Sequence, residues 1–346
     1  MAPAQPARLL VVRHGPGRGR RGPFLELALD HVARADPQLH RRIAVHETGT
    51  PAPSLDGVGA VFFWLGDPLK ELYPQCHREA AAIAADAAAR GIAVANPPDA
   101  LSNSVKSVQA RLLAEAGIAT PRHAVFETRE ALIAHLDEIA CPVLIKSDRM
   151  HSQKGMRICR TADALRAAAM APRLTYPVSV AQFIDTRAGH DPRSLEGRLY
   201  HKKRTLVLGD IVHPRHMIFS AQPIVSLKTS TLAPFRTFAA LRHALPLMPA
   251  ARRSIEADNR FFFEGDGHEP LMRRVCEALG VSTAAIDYSV DAEGNPVIWE
   301  ANPYFFLFST GKYILPAERR HTARSDRLFE DATRFLTALA HPAGRE

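Results

Sequence analysis

Cysteine is scarce in this chain. There are four in 346 residues, Cys76, Cys141, Cys159 and Cys276, and no CxxC pair among them. That spacing argues against a disulfide framework or a cysteine zinc site and fits a reducing cytoplasm. No run of 18 apolar residues occurs, so no transmembrane helix is expected. The early arginines Arg13, Arg18, Arg20 and Arg21 are followed by residues 24–30, an apolar stretch broken by Glu26 and Asp30. A signal peptide is therefore not expected. The phosphate-loop pattern GxxxxGK[ST] and the nucleophile elbow GxSxG are both absent, which disfavours P-loop kinases and elbow-type hydrolases. No repeat or low-complexity tract is present, and no basic stretch has the interleaved aromatics of a nucleic-acid reader. Nucleic acid is not the expected partner.

What the chain does have is positive charge. The formal net charge is +8 and the pI about 9.6. This favours anionic ligands such as nucleotides and carboxylates, although many arginines fall in Ala-rich helical stretches. At this length two or three lobes can each hold a core. Residues 8–12, 43–47, 58–64 and 92–95 read as short apolar strands, separated by helical stretches near 23–35 and 75–90. Alternating strands and helices predict a parallel α/β lobe over residues 1–100. The pattern then changes. Helices over 104–116, 128–139 and 161–170 surround strands at 143–146 and 156–159, an α+β lobe over 101–180. From 178 onward the strands lengthen and read as antiparallel, with 198–208 and 210–219 pairing about Gly209-Asp210. Helices near 269–279 and 325–340 complete a third lobe, 181–346.

The most specific segment is Asp287–Asn302. Two strand-like ends flank a turn over residues 291–296, where Gly294 can take positive φ. Alternation along Val297-Ile-Trp-Glu-Ala-Asn places Glu300 and Asn302 on one face, and Asp287 on the preceding strand can lie beside them. Two carboxylates and a carboxamide are the oxygen donors that Mg²⁺ or Mn²⁺ takes, usually with nucleotide phosphates completing the shell. The plain alternative is a polar hairpin with its charges in water.

Several features occur in a fixed order. Lys106 opens a helix after an Asn-Pro-Pro loop. Lys146 ends an apolar strand and precedes a polar loop. Gln182-Phe-Ile184 ends another strand, Arg204 lies five residues before Gly209, and Asp287, Glu300 and Asn302 come last. This order and spacing resembles the ATP-grasp superfamily of carboxylate–amine ligases, of the glutathione synthetase and ribosomal-protein glutamate ligase type, over roughly residues 8 to 315. The resemblance implies an ATP-grasp fold with an N-terminal parallel α/β lobe. It implies Lys106 and Lys146 on the α- and β-phosphates, and backbone groups of Gln182 and Ile184 on the adenine edge. Arg204 would reach the γ-phosphate or an acyl phosphate. Asp287, Glu300 and Asn302 would hold one or two Mg²⁺ (or Mn²⁺) ions. The implied reaction joins a small-molecule or peptide carboxylate to an amine with ATP; no membrane is implied, and a homodimer is compatible with it.

The chain departs from the family's pattern in three places. Gln182 stands where glutamate is usual. The loop 147–155 has one glycine, Gly155, with Arg149, Ser152 and Lys154 as substitute donors. Tyr304-Phe-Phe306 follows Asn302-Pro303, where smaller residues are common; these aromatics either wall the acceptor pocket or pack the core. Two rivals have residues behind them. One is a nucleotide-binding or regulatory module without turnover. The other is an NAD(P)-binding Rossmann oxidoreductase, because residues 17–22 satisfy GxGxxG and Glu47 could serve as the ribose acid. Against the latter, Pro23 fits the first helical residue, which leaves all three glycines ahead of the helix; the loop reads better as an anion-binding loop facing the cleft, or as a plain solvent loop. His201, His213 and His216 lie on adjacent strands, but a regular strand turns 213 and 216 to opposite faces, against zinc.

Overall fold

The apolar runs at 9–12 and 60–64 are buried on both faces, as parallel strands between helices require, while those at 43–47 and 93–95 are edge strands and partly exposed. In the computed structural model, which describes residues 8–19, 22–149, 156–172, 174–233, 248–305 and 318–341, β1 (Arg8–Arg13) is one of two inner strands of the first sheet. Helices α1 (Phe24–Ala35) and α2 (Pro37–Arg42) precede β2 (Ile43–Glu47) and β3 (Val58–Trp64); α3 (Leu69–Leu72) and α4 (Pro74–Ala89) precede β4 (Ala93–Ala95). The strands are parallel in the order β2-β1-β3-β4. Leu9 and Val11 pack with Phe24, Leu25 and Val32 of α1, while Leu10 and Val12 pack with Cys76, Ala80 and Ile83 of α4. Pro23 is the N-cap of α1 and not its first residue.

A 3-10 turn, Ala100–Ser104, leads into α5 (Lys106–Glu115). This helix therefore opens on Lys106, two residues later than the periodicity suggests. β5 (His123–Phe126), α6 (Arg129–Ala134), β6 (Val143–Ser147), β7 (Arg157–Cys159), α7 (Ala162–Ala169) and β8 (Val178–Gln182) follow. Thr128 and Thr161 cap α6 and α7 through their hydroxyls. The four strands form an antiparallel sheet, β5-β8-β6-β7. Val143, Ile145, Val178 and Val180 pack on Leu132, Leu165 and Ala168 of the two helices. The opposite face carries His123, Leu144, Lys146, Ser179 and Ala181.

The third sheet follows α8 (Leu195–Arg198). It comprises β9 (Tyr200–Leu208), β10 (Ile211–Ser220), β11 (Thr283–Val290) and β12 (Pro296–Asn302), antiparallel in the order β10-β9-β11-β12. Helices α9 (Met248–Glu264) and α10 (Glu269–Leu279) cover one face, where Val207, Ile286, Tyr288 and Ile298 meet Phe261, Met272 and Val275. On the other face Leu206, Leu208 and Ala285 join the core of the first sheet. The C-terminal helix α11 (Glu318–Ala340) packs on α1, α2, β1 and β3 and also on β9 and β10, tying the two sheets together. No helix among the described residues is long and apolar enough to cross a membrane. All four cysteines are free.

The outer edge of β12 is covered rather than left to water. Gln109 of α5 donates Nε2 to the Ala301 carbonyl (2.7 Å) and accepts from the Ala301 N–H (2.8 Å). Further along, the Ile298 N–H bonds Ala119 O (2.9 Å) and Thr120 Oγ1 bonds Ile298 O (2.9 Å). Gln109 is buried, so replacing it by leucine strands two buried backbone groups. The Gln109→Leu protein is expected to lose about 1–3 kcal/mol, read as a lower urea midpoint. An unchanged midpoint would show that the edge is held elsewhere.

Candidate functional site

The register of the third sheet builds a row of polar side chains on the face away from α9 and α10. Asp287 of β11 stands opposite Arg204 of β9 on one side and Glu300 of β12 on the other. Ladder pairing then slips, with Tyr288 opposite Ile298, so Trp299 is unopposed. The slip is why Ile298 and Ala301, three apart, are both buried, while Glu300 and Asn302 keep the opposite face. Gly294 makes the hairpin turn with φ of +88°. Lys202, two before Arg204, shares the face.

Asp287 is the hub. Its side chain is only 4% exposed; Oδ1 accepts from Arg204 Nε (2.6 Å), and Oδ2 accepts from Arg204 Nη2 (2.9 Å) and Lys202 Nζ (2.9 Å). Burial alone would raise its pKa, but the charges of Arg204 and Lys202 outweigh that and hold the carboxyl at about 2. Arg204 is raised in turn: burial opposes its charge, and Asp287 and Glu300 restore it.

Two lysines approach the row from outside the sheet. Lys106, 8% exposed at the start of α5, has Nζ 3.6 Å from Glu300 Oε1. Lys146, partly buried on the helix-free face of the second sheet, is pushed down to about 8 by burial and by Lys106, against the pull of Glu300 and Asp148. The lysines are held together by a contact the sequence does not reveal. Asp148 accepts from the Ser107 N–H (3.0 Å) and Ser107 Oγ (2.6 Å), capping α5 from the loop after Lys146. His123, bonded to Ser179 Oγ through Nδ1 (2.6 Å), is lowered to about 3 by burial and by Lys146 and Lys106, so it stays neutral beside them.

Gln182 and Ile184, the two residues expected at the adenine edge, lie at and just after the end of β8. Gln182 is exposed and its N–H bonds Arg122 O (2.9 Å); Ile184 follows the strand, half-buried. Arg20, Arg21, Ser152, Lys154, Gly155 and Phe306 lie outside the described residues. Within the first sheet Glu47, the ribose acid of the Rossmann rival, accepts from Arg13 at 2.8 and 3.2 Å. The loop after β1 turns instead toward Tyr304, whose hydroxyl accepts from the Gly22 N–H (2.6 Å). Tyr304 and Phe305 are buried with Phe24 and Trp64, so these aromatics pack the core. The three histidines do not converge. His201 Nε2 accepts from the Val290 N–H (3.1 Å), His213 pairs with Asp331 (2.9 Å), and His216 stands opposite Arg204. A bulge after Pro214 puts His216 on the same face as His213, contrary to the regular-strand expectation.

Among the described residues no group of three or more His, Cys, Asp or Glu side chains gathers as a metal site. Asp287, Glu300 and Asn302 share one face as two carboxylates and an amide, with both Asp287 oxygens held by Arg204 and Lys202. Their hard oxygens suit Mg²⁺ when phosphate oxygens supply the remaining positions.

No protein-family model matches the chain, and no curated protein does. Solved structures do match in fold. The ATP-grasp ligase PsnB, complexed with precursor peptide PsnA2 and AMPPNP, aligns at a TM-score of 0.53 and 15% identity, over 95% of this chain and 98% of that one. The macrocyclase MdnC bound with precursor peptide MdnA, from Microcystis aeruginosa MRC, gives 0.51 and 14%, over 97% and 100%. The VanG D-Ala:D-Ser ligase from Enterococcus faecalis gives 0.52 and 14%, over 96% and 99%. At such identities the likeness is one of fold.

Proposed function

We propose, from the premise that this chain has the ATP-grasp fold, that it is an ATP- and Mg²⁺-dependent ligase joining a carboxylate to an amine through an acyl phosphate. The observation that carries the reading is one convergence. Lys106 Nζ lies 3.6 Å from Glu300, which stands opposite Asp287, which holds Arg204, and Lys146 is close enough to Lys106 to be deprotonated more easily by it. A row of two carboxylates and an amide facing one lysine from a helix and one from another sheet suits a metal–triphosphate complex better than a lone anion.

In this reading Lys106 and Lys146 bind phosphate oxygens, and Gln182 and Ile184 border the adenine. Asp287, Glu300 and Asn302 hold Mg²⁺, which when bound neutralises charge on the terminal phosphates. The substrate carboxylate attacks the γ-phosphorus, the bond to the β-phosphate oxygen breaks, and ADP leaves. The amine then attacks the acyl carbon, phosphate leaves, and the amine gives up a proton. Arg204 stabilises the oxygens of the transferring group. PsnB and MdnC are complexed with precursor peptides and VanG is named for two amino acids, so the acceptor class includes peptide and amino-acid carboxylates.

Mg·ATP is expected to raise the melting temperature by linkage. With hydroxylamine as the amine, pooled carboxylates are expected to give ADP and hydroxamate together. Stabilisation by NADPH and not by Mg·ATP would sink the reading. Mg·ATP binding with no ADP from any pool would leave the chain a nucleotide-binding module.

The pH profile gives a further check. Lys146 binds phosphate as a cation, and its pKa near 8 places loss of that cation more than two units below the usual lysine value. Above pH 8, kcat/KM for ATP is expected to fall about tenfold per unit in wild type. Lys146→Arg, charged throughout, is expected to flatten that limb. An equally steep fall in the arginine variant would assign the titration to another group.

A further inference from the structure

β10 is the outer strand of the third sheet. Its ladder with β9 slips between Pro214, opposite Thr205, and His216, opposite Arg204, and Arg215 sits in the slip. Arg215 is only 8% exposed. Neighbouring cations all have acids: Arg204 and Lys202 hold Asp287, Lys203 holds Asp266, and Arg324 holds Asp258 and Asn259. Among the described residues the Arg215 guanidinium has no hydrogen bond or ion pair. The carboxylate that attracts it, Asp258, is already bound by Arg324 Nη1 (2.8 Å) and by the Met217 N–H (2.7 Å). Burial, then repulsion by Arg324 with a further contribution from Arg204, lowers Arg215 to about 10. His216 beside it is kept neutral, first by burial and then by Arg204 and Arg215.

A buried cation without an acid partner is costly unless an anion arrives. The sheet order says which anion. Asp287, Glu300 and Asn302 lie on β11 and β12, Arg204 on β9 between, and Arg215 on β10 beyond it. With strands about 4.8 Å apart, Arg215 is on the far side of Arg204 from the metal donors. In the row Arg204 and Lys202 share Asp287, and at the β10 edge Arg215 and Arg324 of α11 both face the one carboxylate of Asp258 on α9. We infer that Arg215 binds the carboxylate of the acceptor substrate, placing it on the opposite side of Arg204 from the nucleotide. A planar guanidinium fork suits a planar carboxylate, and the lysines already serve the triphosphate. This rests on the ligase reading and adds to it the residue that recognises the carboxylate.

The test uses the full chain with a panel of short carboxylates (glutarate, N-acetyl-glutamate, N-acetyl-alanine), hydroxylamine and Mg·ATP. Arg215→Gln is expected to raise KM for the carboxylate about thirtyfold or more, with KM for ATP and the Mg·ATP thermal shift changed less than about twofold. Arg215→Lys is expected to fall between. Ligand-free Arg215→Gln is expected to melt no lower than wild type, because no pair is broken. A parallel rise in both KM values would move Arg215 to the phosphates and overturn the inference. So would an unchanged carboxylate KM, a ligand-free variant that melts far below wild type, or a wild type that binds Mg·ATP but responds to none of the carboxylates. A wild type not stabilised by Mg·ATP would instead defeat the ligase reading itself.

Discussion

Asp287→Ala is expected to abolish ATP turnover and also to destabilise the protein by about 3–5 kcal/mol, the cost of removing one partner from a buried ion pair. The carboxylate holds two cations through three bonds of 2.6–2.9 Å. Without it, Arg204 and Lys202 face each other with Arg215 nearby. Asp287→Asn keeps the shape and loses the charge, so an intermediate cost is expected. Urea midpoints measure the one effect and ADP release the other; a variant as stable as wild type would show that the cations have another acid. The sign of the pH dependence follows from the same contacts. The folded carboxyl titrates at about 2, below its ordinary value of 3.8. Its contribution is therefore complete above about pH 4 and is lost as pH falls through 2; it amounts to on the order of 2–3 kcal/mol. Asp287→Ala should remove that part of the acid sensitivity.

The sequence shows Asp287, Glu300 and Asn302 because they lie on one hairpin, where alternation and a glycine turn are local signals. β2 and β3 are legible for a similar reason, since each is a bounded apolar run. The contacts that make a site of these pieces are not local. Gln109 reaches Ala301 across 192 positions, and Asp148 caps a helix 41 residues earlier. Neither residue type at its position announces a partner. The bulges at Trp299 and Arg215 are equally silent, because a slipped ladder shows only when the partner strand is known. The helix Met248–Glu264 has no counterpart in the sequence reading. Its end, Phe261-Phe-Phe263, has strand-like composition, and it becomes helical because Phe261 and Phe262 bury while Phe263 faces out, 54% exposed. The helix expected over 128–139 ends at Ala134 and continues only as a 3-10 turn, Leu136–Glu138. Arg204 is expected from the sequence on a γ-phosphate or acyl phosphate, yet in the structure it is held by Asp287, one of the expected metal ligands. An isolated reading of either residue misses that they share one bond network.

That shared network makes Asp287 an ambiguous probe of metal binding, and Glu300 the decisive one. Glu300→Gln is expected to lower turnover about a hundred- to thousandfold, the usual cost of one electrostatic group at a transferring centre. Its melting temperature is expected to stay close to wild type. Glu300 is 28% exposed, and its ion pair with Lys106 is long, 3.6 Å. Lys106 is buried, but at 3.6 Å the pair lies beyond hydrogen-bond distance, so losing it is expected to cost less than losing the three short bonds of Asp287. The amide also keeps one oxygen acceptor, so packing is conserved while the charge that a divalent ion needs is gone. Excess Mg²⁺ is expected to recover part of the rate if the loss lies in metal affinity. Lys106→Met should act differently, raising KM for ATP with little response to Mg²⁺. Combining the two substitutions separates the roles: additive effects place lysine and carboxylate on different parts of the Mg·ATP complex. Glu300→Gln melting as far down as Asp287→Ala would make the carboxylate structural, and the metal assignment would fall with it.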